Sequence, residues 1–449
     1  MAQTDSILTF NVRRREPELI TPASPTPREL KRLSDIDDQE GLRIHISAIY
    51  FYRPSANMQN KDPVSVIREA LAKVLVFYYP FAGRLKEGPG RKLMVDCTGE
   101  GVLFTEADAD VTLKQFGDAL QPPFPCIEEL LYVAPGSGGI LNTPLLLIQV
   151  TRLLCGGFIV ALRSNHTMAD GSGIIQFFTA LGEMARGASK PSKLPMWQRE
   201  LLFARDPPRV TCTHNEYAEV EDTKGTIIPL DDMAQRSFFI GRAEVSALRR
   251  LVPPHLQKCS TFEVLTACLW RCRTISLQPD PEEEMRLMIP VSAHGRFSPP
   301  LLPVGYYGVS FALPVAISTA RDLSTKPLSH ALELVMKAKS HVTEEYMRSL
   351  ADLMVTKGRP HYTDVNCYAV SDITRLGVNA VDYGWGKPLY GGPTKADVAT
   401  YYIPFKNKKG ETGIVLPVCL PSAAMDKFAT ELNNMLAHDN KLRQQISKL

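Results

Sequence analysis

The spacing of apolar residues in the first third of the chain predicts a strand, a helix and a β-hairpin. Residues 43–51 form a short apolar run rich in β-branched and aromatic side chains, which predicts a strand. Residues 145–164 hold two apolar runs separated by Cys155-Gly156-Gly157, which predicts a hairpin. Asp62-Pro63 is a helix-start signal, and the apolar residues after it recur at helical spacing: Val64, Ile67, Leu71 and Val74.

The second half of the chain repeats this mixture after a polar, proline-containing stretch at 188–235. Ser260-Thr261 is a cap signal for a helix, and an amphipathic pattern over 330–354 predicts one long helix. Three apolar runs predict strands at 367–373, 398–405 and 413–420, and a closing helix is expected from Ser422. Because strands and helices mix without strict alternation, the predicted fold class is α/β.

The polar stretch divides the chain. We predict an N-terminal domain over residues 1–190, a linker over 191–235 and a C-terminal domain over 236–449. The length of 449 residues suits two domains, and a hydrophobic fraction of 44% provides enough apolar residues for a large core.

The charge and the cysteine content of the chain argue against several classes of function. The net charge is +3 and the basic residues are scattered, so a nucleic-acid partner is not expected. No apolar run approaches the roughly 20 residues of a membrane span, and the N-terminal residues do not resemble a signal peptide. Nine cysteines without a paired framework are typical of reduced thiols, so we expect a protein of the cytoplasm that does not enter a membrane.

The sharpest candidate for chemistry is His166, in the segment His166-Thr167-Met168-Ala169-Asp170. It stands where the second arm of the predicted hairpin ends and a helix is about to begin, and such a turn can hold a polar side chain at a cleft. The neutral imidazole is available near pH 7 because the unperturbed pKa is about 6.5. Asp170 could orient its surroundings, and Ser172 is expected to help open the helix. The same pattern also fits a buried histidine bonded to backbone.

Other catalytic and binding patterns are weaker. There is no G-x-S-x-G elbow, which disfavours a serine hydrolase, and no phosphate-binding P-loop motif. Cys268 and Cys272 are four residues apart on a predicted helix, but no second pair completes a metal site, so we interpret them as core residues and expect no metal. Residues 382–388 form a glycine-rich loop around Trp385, which could brace a site or be a tight structural turn.

Two of these segments resemble the motifs of the plant BAHD acyltransferases. That family carries His-x-x-x-Asp in mid-chain and Asp-Phe-Gly-Trp-Gly near the C-terminus, which are similar to residues 166–170 and 382–386 here. Residues 79–85 resemble a third family segment. A narrower resemblance, to alcohol acyltransferases of ripening fruit and benzyl alcohol benzoyltransferases, is carried by five further stretches: 33–43, 91–104, 146–171, 199–212 and 302–308.

The resemblance implies two similar-sized mixed-sheet domains of the coenzyme A-dependent acyltransferase type, with a channel between them. It implies an acyl-CoA:alcohol O-acyltransferase that makes volatile esters from small aliphatic or benzylic alcohols, with acyl-CoA as co-substrate, no bound cofactor and a monomeric chain. His166 is then the general base and Asp170 holds the loop. In the family the loop that matches residues 382–386 lies away from the histidine and is mainly structural, although the aspartate at Asp382 is sometimes given a catalytic label. Trp385 and Gly386 then support the site, and Ser260-Thr261 matches a segment that meets coenzyme A.

Four positions depart from the family pattern. Tyr383 stands where the family usually has Phe. Ser292 and His294 stand where relatives often have Asn and Arg, and Val309 where they often have Asn. These last three leave open a weakly active acyl-CoA-binding relative. An amine N-acyltransferase of the same fold is a further alternative, because a neutral histidine can deprotonate either nucleophile.

Overall fold

The computed structural model describes residues 8–117, 120–219, 232–396 and 399–437. Residues 220–231 of the predicted linker lie outside this described part. The described residues form two halves, each a mixed sheet with helices, so the predicted α/β class is confirmed.

The first half contains nine strands and four helices in its described residues. The strands are β1 (Val12–Arg14), β2 (Glu18–Ile20), β3 (Leu30–Arg32), β4 (His45–Tyr52), β5 (Arg84–Glu87), β6 (Leu93–Asp96), β7 (Val102–Ala109), β8 (Leu146–Leu153) and β9 (Phe158–Asn165). The helices are α1 (Pro63–Phe77), α2 (Leu113–Phe116), α3 (Ile127–Leu130) and α4 (Gly171–Ala185).

The second half begins inside the predicted linker, at Met233. Its strands are β10 (Met233–Ile240), β11 (Glu284–Met288), β12 (Val291–Ser292), β13 (Phe311–Ala312), β14 (Val315–Thr319), β15 (Cys367–Asp372), β16 (Tyr390–Pro393), β17 (Thr400–Lys406) and β18 (Thr412–Pro421). Its helices are α5 (Arg242–Arg250), α6 (Thr261–Leu277), α7 (Ala320–Thr325), α8 (Leu328–Ser340), α9 (Glu344–Thr356) and α10 (Ser422–Leu436).

Each half is built on one large sheet. The first sheet has the order β1-β7-β8-β9-β4-β16, and β2 also pairs with β7. The second has the order β10-β18-β17-β15-β11-β14. The predicted hairpin is confirmed as β8 and β9, which lie at the centre of the first sheet and are buried along most of their length.

The first sheet includes one strand from the second half of the chain. β16 pairs antiparallel with β4, so residues 390–393 belong to the N-terminal sheet although they lie far beyond the predicted linker. The predicted division into domains 1–190 and 236–449 does not account for a strand of the second half that pairs in the first sheet. Pairing between strands ignores their distance along the chain, so local periodicity could not reveal it.

Two hydrophobic cores correspond to the two halves, and each contains residues from the other. Ile36 and Leu42, near the N-terminus, are buried in the second core. Tyr383, Trp385 and Tyr390, near the C-terminus, are buried in the first. The exchanged residues fix the orientation of the halves, because apolar side chains that are already buried would be exposed if the halves moved apart.

Helix caps follow the sequence signals at two predicted starts. The Asp62 carboxylate accepts hydrogen bonds from the backbone of Val64 and Ser65 at the start of α1. Ser260 caps α6 through the Glu263 N–H, and the Glu263 carboxylate accepts a bond from the Ser260 N–H. Both predictions are confirmed, because a cap depends only on residues within one turn.

The single long helix predicted over 330–354 is wrong. The structure has α8 and α9, which are separated by His341, Val342 and Thr343. The Thr343 hydroxyl accepts a hydrogen bond from the Tyr346 N–H, 3.1 Å away, and so opens a new helix. The apolar spacing continues across the break because both helices face the same core, and this continuity concealed the cap. In the described part of the chain, no helix combines the length and apolarity that crossing a membrane requires.

We expect Thr343→Ala to lower the free energy of unfolding by about 1 kcal/mol, because the oxygen that caps α9 is lost. Thr343→Ser keeps that oxygen and is the matched control. Urea denaturation followed by circular dichroism measures the difference. Equal midpoints for the two variants would show that this cap does not stabilise the second half.

Candidate active site

His166 directly follows β9, a central strand of the first sheet. β9 ends at Asn165, and the His166 N–H donates to the Ile44 carbonyl, 2.9 Å away, just before β4 begins. The Asn165 side-chain oxygen accepts bonds from the Thr167 N–H at 3.1 Å and the Thr167 hydroxyl at 2.7 Å. The turn after the strand is therefore fixed by backbone and side-chain bonds, as the sequence predicted for a strand-to-helix turn.

The imidazole of His166 is half-buried and faces Phe311, with the ring centroids 6.0 Å apart. Its Nδ1 atom is buried and has no hydrogen-bond partner among the described residues. Burial lowers the pKa of His166 below its ordinary value, and backbone groups and the Asp170 charge only partly oppose this effect. The ring is therefore neutral near pH 7, which is the state a general base needs.

Asp170 is bonded to the loop and to the second half. One carboxylate oxygen accepts from the Gly173 N–H at 3.0 Å and caps α4. The other accepts from the Ser310 hydroxyl at 2.8 Å and the Ser310 N–H at 3.2 Å. The cap of α4 is thus Asp170, where the sequence pointed to Ser172. These are the contacts of a residue that holds the loop in place.

His166 lines a cavity of about 520 Å³ to which both halves contribute. Apolar side chains of the first half line one side and apolar side chains of the second half line the other: Leu42, Ile44, Ile46, Leu162, Ile174 and Ile175, and Met288, Phe311, Leu313, Val370, Ile373 and Leu376. The few acidic groups in the lining include Asp364 and Asp372. A mostly apolar cavity with a small number of polar groups is typical of a site for a small organic molecule.

A second cavity, of about 500 Å³, adjoins the first and is basic. The two share Pro290, Ser292 and Asp372 in their linings. The second cavity reaches the N-terminus of α6 at Ser260 and Thr261 and is surrounded by four cationic side chains: Arg249, Arg296, Lys339 and Arg375. The structure thus brings the predicted residues Ser260 and Thr261 to a site where a helix N-terminus and fixed positive charge favour an anion.

The loop over residues 382–386 lies at the other end of β9. The Asp382 carboxylate accepts bonds from the N–H groups of Gly384 at 2.7 Å and Gly386 at 2.8 Å. Both glycines have positive φ, 109° and 88°, a conformation that side chains disfavour. Trp385 packs edge-on against Phe158, the first residue of β9, with the centroids 5.1 Å apart.

Asp382 is consequently remote from His166. Phe158 and Asn165 are the two ends of β9, and a strand of eight residues spans roughly 23 Å. Asp382, Trp385 and Gly386 are not among the described residues that line the histidine cavity. The catalytic label on Asp382 therefore has no geometric support, and the loop braces the beginning of the strand that carries the histidine.

The departures from the family pattern have different surroundings. Ser292 borders both cavities, and its hydroxyl accepts the His294 N–H at 3.1 Å. Val309 is fully buried and contacts Asp37 through its backbone N–H at 2.8 Å, so this bond does not depend on the side chain. Burial lowers the pKa of His294, and the nearby Asp170 charge opposes the shift. Of these three, only Ser292 is among the described residues that line the two cavities.

A serine–histidine–carboxylate arrangement exists elsewhere and is structural. His214 lies 3.0 Å from the Ser349 hydroxyl and 3.1 Å from the Glu216 carboxylate. Ser349 is fully buried, and its oxygen accepts the N–H groups of Thr211 and Cys212, each at 3.0 Å. An oxygen occupied in this way is not a nucleophile. The arrangement fastens residues 211–216 to α9.

Sequence reasoning missed the groups that hold the histidine loop from outside. Arg199 and Asp37 form an ion pair beneath the loop, and Ser310 bonds to Asp170. Arg199 and Asp37 lie in two of the stretches that carry the narrower resemblance, at 199–212 and 33–43. An arginine and an aspartate in otherwise polar stretches gave no periodic signal, and only the tertiary structure pairs them.

Comparisons with known proteins show which sequences this chain is similar to. A sequence profile described as the Transferase family matches residues 10–435. The chain is 67% identical over 447 residues to a benzyl alcohol O-benzoyltransferase of Petunia hybrida, covering 98% of this chain and 97% of the relative. It is 55% identical over 434 residues to an alcohol acyl transferase of Malus domestica (allele GSd of transferase 1), covering 95% of this chain and 94% of the relative.

The fold is similar to that of a solved enzyme. The crystal structure of vinorine synthase superposes with a TM-score of 0.73 and 22% identity, covering 95% of this chain and 98% of that one. The predicted acyltransferase type of fold is thereby confirmed. The profile match and the two relatives together show that this chain belongs to the Transferase family, the BAHD acyltransferases that its two motifs resemble.

Proposed function

We propose that the protein transfers an acyl group from coenzyme A to a small aliphatic or benzylic alcohol and releases an ester. The observation that carries this proposal is the position of His166, a neutral imidazole in an apolar cavity that adjoins a basic one. An apolar cavity suits an uncharged alcohol and acyl chain, and a basic cavity suits a polyanion such as coenzyme A. The names of the Petunia and Malus relatives support the same reaction class.

Coenzyme A is assigned to the basic cavity. Its phosphates would contact the N-terminus of α6, at Ser260 and Thr261, and the guanidinium of Arg375. Lys339 is less available, because it forms an ion pair with Glu263 at 2.6 Å. The thioester end would then pass Ser292, which borders both cavities, and reach the histidine.

The reaction in this proposal is direct transfer. The alcohol gives its proton to neutral His166, its oxygen attacks the thioester carbonyl, and a tetrahedral intermediate forms. The intermediate expels the coenzyme A thiolate, and His166 returns the proton to the sulfur. No metal or redox cofactor takes part. One chain supplies both cavities, so a monomer is sufficient, and nine free cysteines suit a reducing compartment such as the cytoplasm.

The lining favours uncharged acceptors over acids. Asp364 and Asp372 contribute negative charge to the histidine cavity, and most other lining residues are apolar. A carboxylate-bearing acceptor would lose its hydration there and meet like charge, which disfavours binding. Alcohols of the size of hexanol or benzyl alcohol have neither disadvantage.

The proposal is tested by product analysis with mixed acyl-CoAs and mixed acceptors. We expect mass spectrometry to detect esters of hexanol or benzyl alcohol, formed together with free thiol. Hexylamine and benzylamine in the same mixture test the amine alternative, which predicts amides in place of esters. Binding of acyl-CoA without thiol release from any acceptor would instead support the weakly active relative.

His166→Ala should lower turnover by about 10²–10⁴-fold, because the proposed general base is lost. His330→Ala is a matched control, because His330 is half-buried on α8 and lies outside both cavities. Since burial lowers the His166 pKa, wild-type kcat/KM should stay high below pH 6.5 and fall at still lower pH. Retention of more than about a tenth of the turnover in His166→Ala would exclude this histidine as the base.

Arg375→Ala should raise KM for acyl-CoA about tenfold and leave kcat nearly unchanged, because a charge-assisted contact to phosphate is lost in both ground and transition states. Arg236→Ala removes an exposed charge outside both cavities and is the control. Initial rates at varied acyl-CoA and saturating alcohol measure both constants. An unchanged KM in Arg375→Ala would place the phosphates elsewhere.

A further inference from the structure

Arg199 is a fully buried cation beneath the loop that carries His166. Its Nη1 atom lies 3.0 Å from the Asp37 carboxylate, and both side chains are 0% exposed. An unpaired charge in such a position costs several kcal/mol, so this pair determines where residues 37 and 199 can lie. Neither residue lines the two cavities among the described residues.

The second nitrogen of the guanidinium reaches the histidine loop itself. Arg199 Nη2 donates to the Met168 carbonyl, 2.8 Å away, and Met168 is two residues after His166. The plane of the guanidinium packs against the rings of Trp197, Tyr306 and Tyr307, at 4.5, 5.3 and 5.0 Å from their centroids. The two terminal nitrogens therefore bridge a carboxylate and the loop, one on each.

Asp37 connects the ion pair to the second half. The oxygen that receives Arg199 also accepts the Val309 N–H at 2.8 Å, and the other oxygen accepts the Ser34 hydroxyl at 2.7 Å. Gly308 lies against the guanidinium, and a Cβ added there would come within 1.2 Å of Arg199 Nη1. Ser310, two residues on, bonds to Asp170. The loop over 166–170 is thus held from below by Arg199 and at its end by Ser310.

We propose that Arg199 is a positioning residue for His166 and that it sets the imidazole through the Met168 carbonyl. The proposal rests on the transfer reaction proposed above. Because Nδ1 of His166 has no hydrogen-bond partner among the described residues, no side-chain bond on that atom orients the ring. The backbone of the loop must do so, and a base displaced by about 1 Å can lose as much as 10²-fold in rate.

The test compares two linker arginines. Arg199→Lys keeps the charge, but a single ammonium cannot replace a fork that bridges Asp37 and Met168. Arg205→Lys is the matched control, because Arg205 pairs with the buried Asp352 at 2.6 Å and contacts α9, away from the histidine loop. We expect Arg199→Lys to lower kcat by about 10–100-fold with KM for acyl-CoA changed less than about threefold. Arg205→Lys should lower thermal stability by a similar amount and keep kcat.

Hydrogen–deuterium exchange provides a readout that does not depend on activity. Arg199→Lys should speed exchange in the peptide covering residues 165–173, and Arg205→Lys should not, because of these two arginines it is Arg199 that bonds to this loop. Equal kcat values and equal exchange in the two variants would overturn the positioning role. Inactive wild-type protein would count against the transfer reaction alone, because the exchange result would still decide whether Arg199 holds the loop.

A second variant covers the case in which Arg199→Lys does not fold. Asp37→Asn keeps the shape of the side chain and an oxygen for the Val309 N–H, but it weakens the hold on the guanidinium. We expect a smaller loss of kcat in the same direction, with faster exchange over residues 165–173. Folded Asp37→Asn protein with unchanged kcat and unchanged exchange would also overturn the proposal.

Discussion

The buried ion pair between Arg199 and Asp37 joins four parts of the chain that are distant in sequence. Through Asp37 it holds the N-terminal segment and the backbone at Val309, and through Arg199 it holds the linker and the loop after His166. Either charge alone would be very unfavourable in this buried position. The segments that carry Arg199 and Asp37 must therefore come together for the pair to be buried. The histidine loop is fixed because it lies on this pair.

The candidate site derives its chemistry from the contrast between two adjoining cavities. The apolar one keeps the imidazole neutral and has room for an uncharged acceptor, and the basic one attracts an anion. The two cavities share Pro290, Ser292 and Asp372, and His166 lines the apolar one. Strand β9 carries this residue at one end and is braced at the other by the loop of Asp382 and Trp385. The two motifs therefore lie at opposite ends of the same strand, and both contribute to the placement of His166.

Local signals in the sequence predicted local structure well. The hairpin of β8 and β9, the Asp62 and Ser260 caps and the strand-to-helix turn at His166 depend on neighbours within a few residues, and all are present. The apolar pattern failed where it was continuous across a boundary, as between α8 and α9. The capping signal of Thr343 was a single hydroxyl, and hydrophobic spacing does not register it.

The sequence by itself determined the fold class, the position of His166 at the end of an apolar strand and the family resemblance. It also marked Ser260 and Thr261 as the start of a helix. Only the tertiary structure decided that β16 completes the first sheet and that Arg199 pairs with Asp37. The physical reason is that capping and periodicity act over one or two turns of chain, whereas strand pairing and buried charge pairing join residues without regard to their separation in sequence.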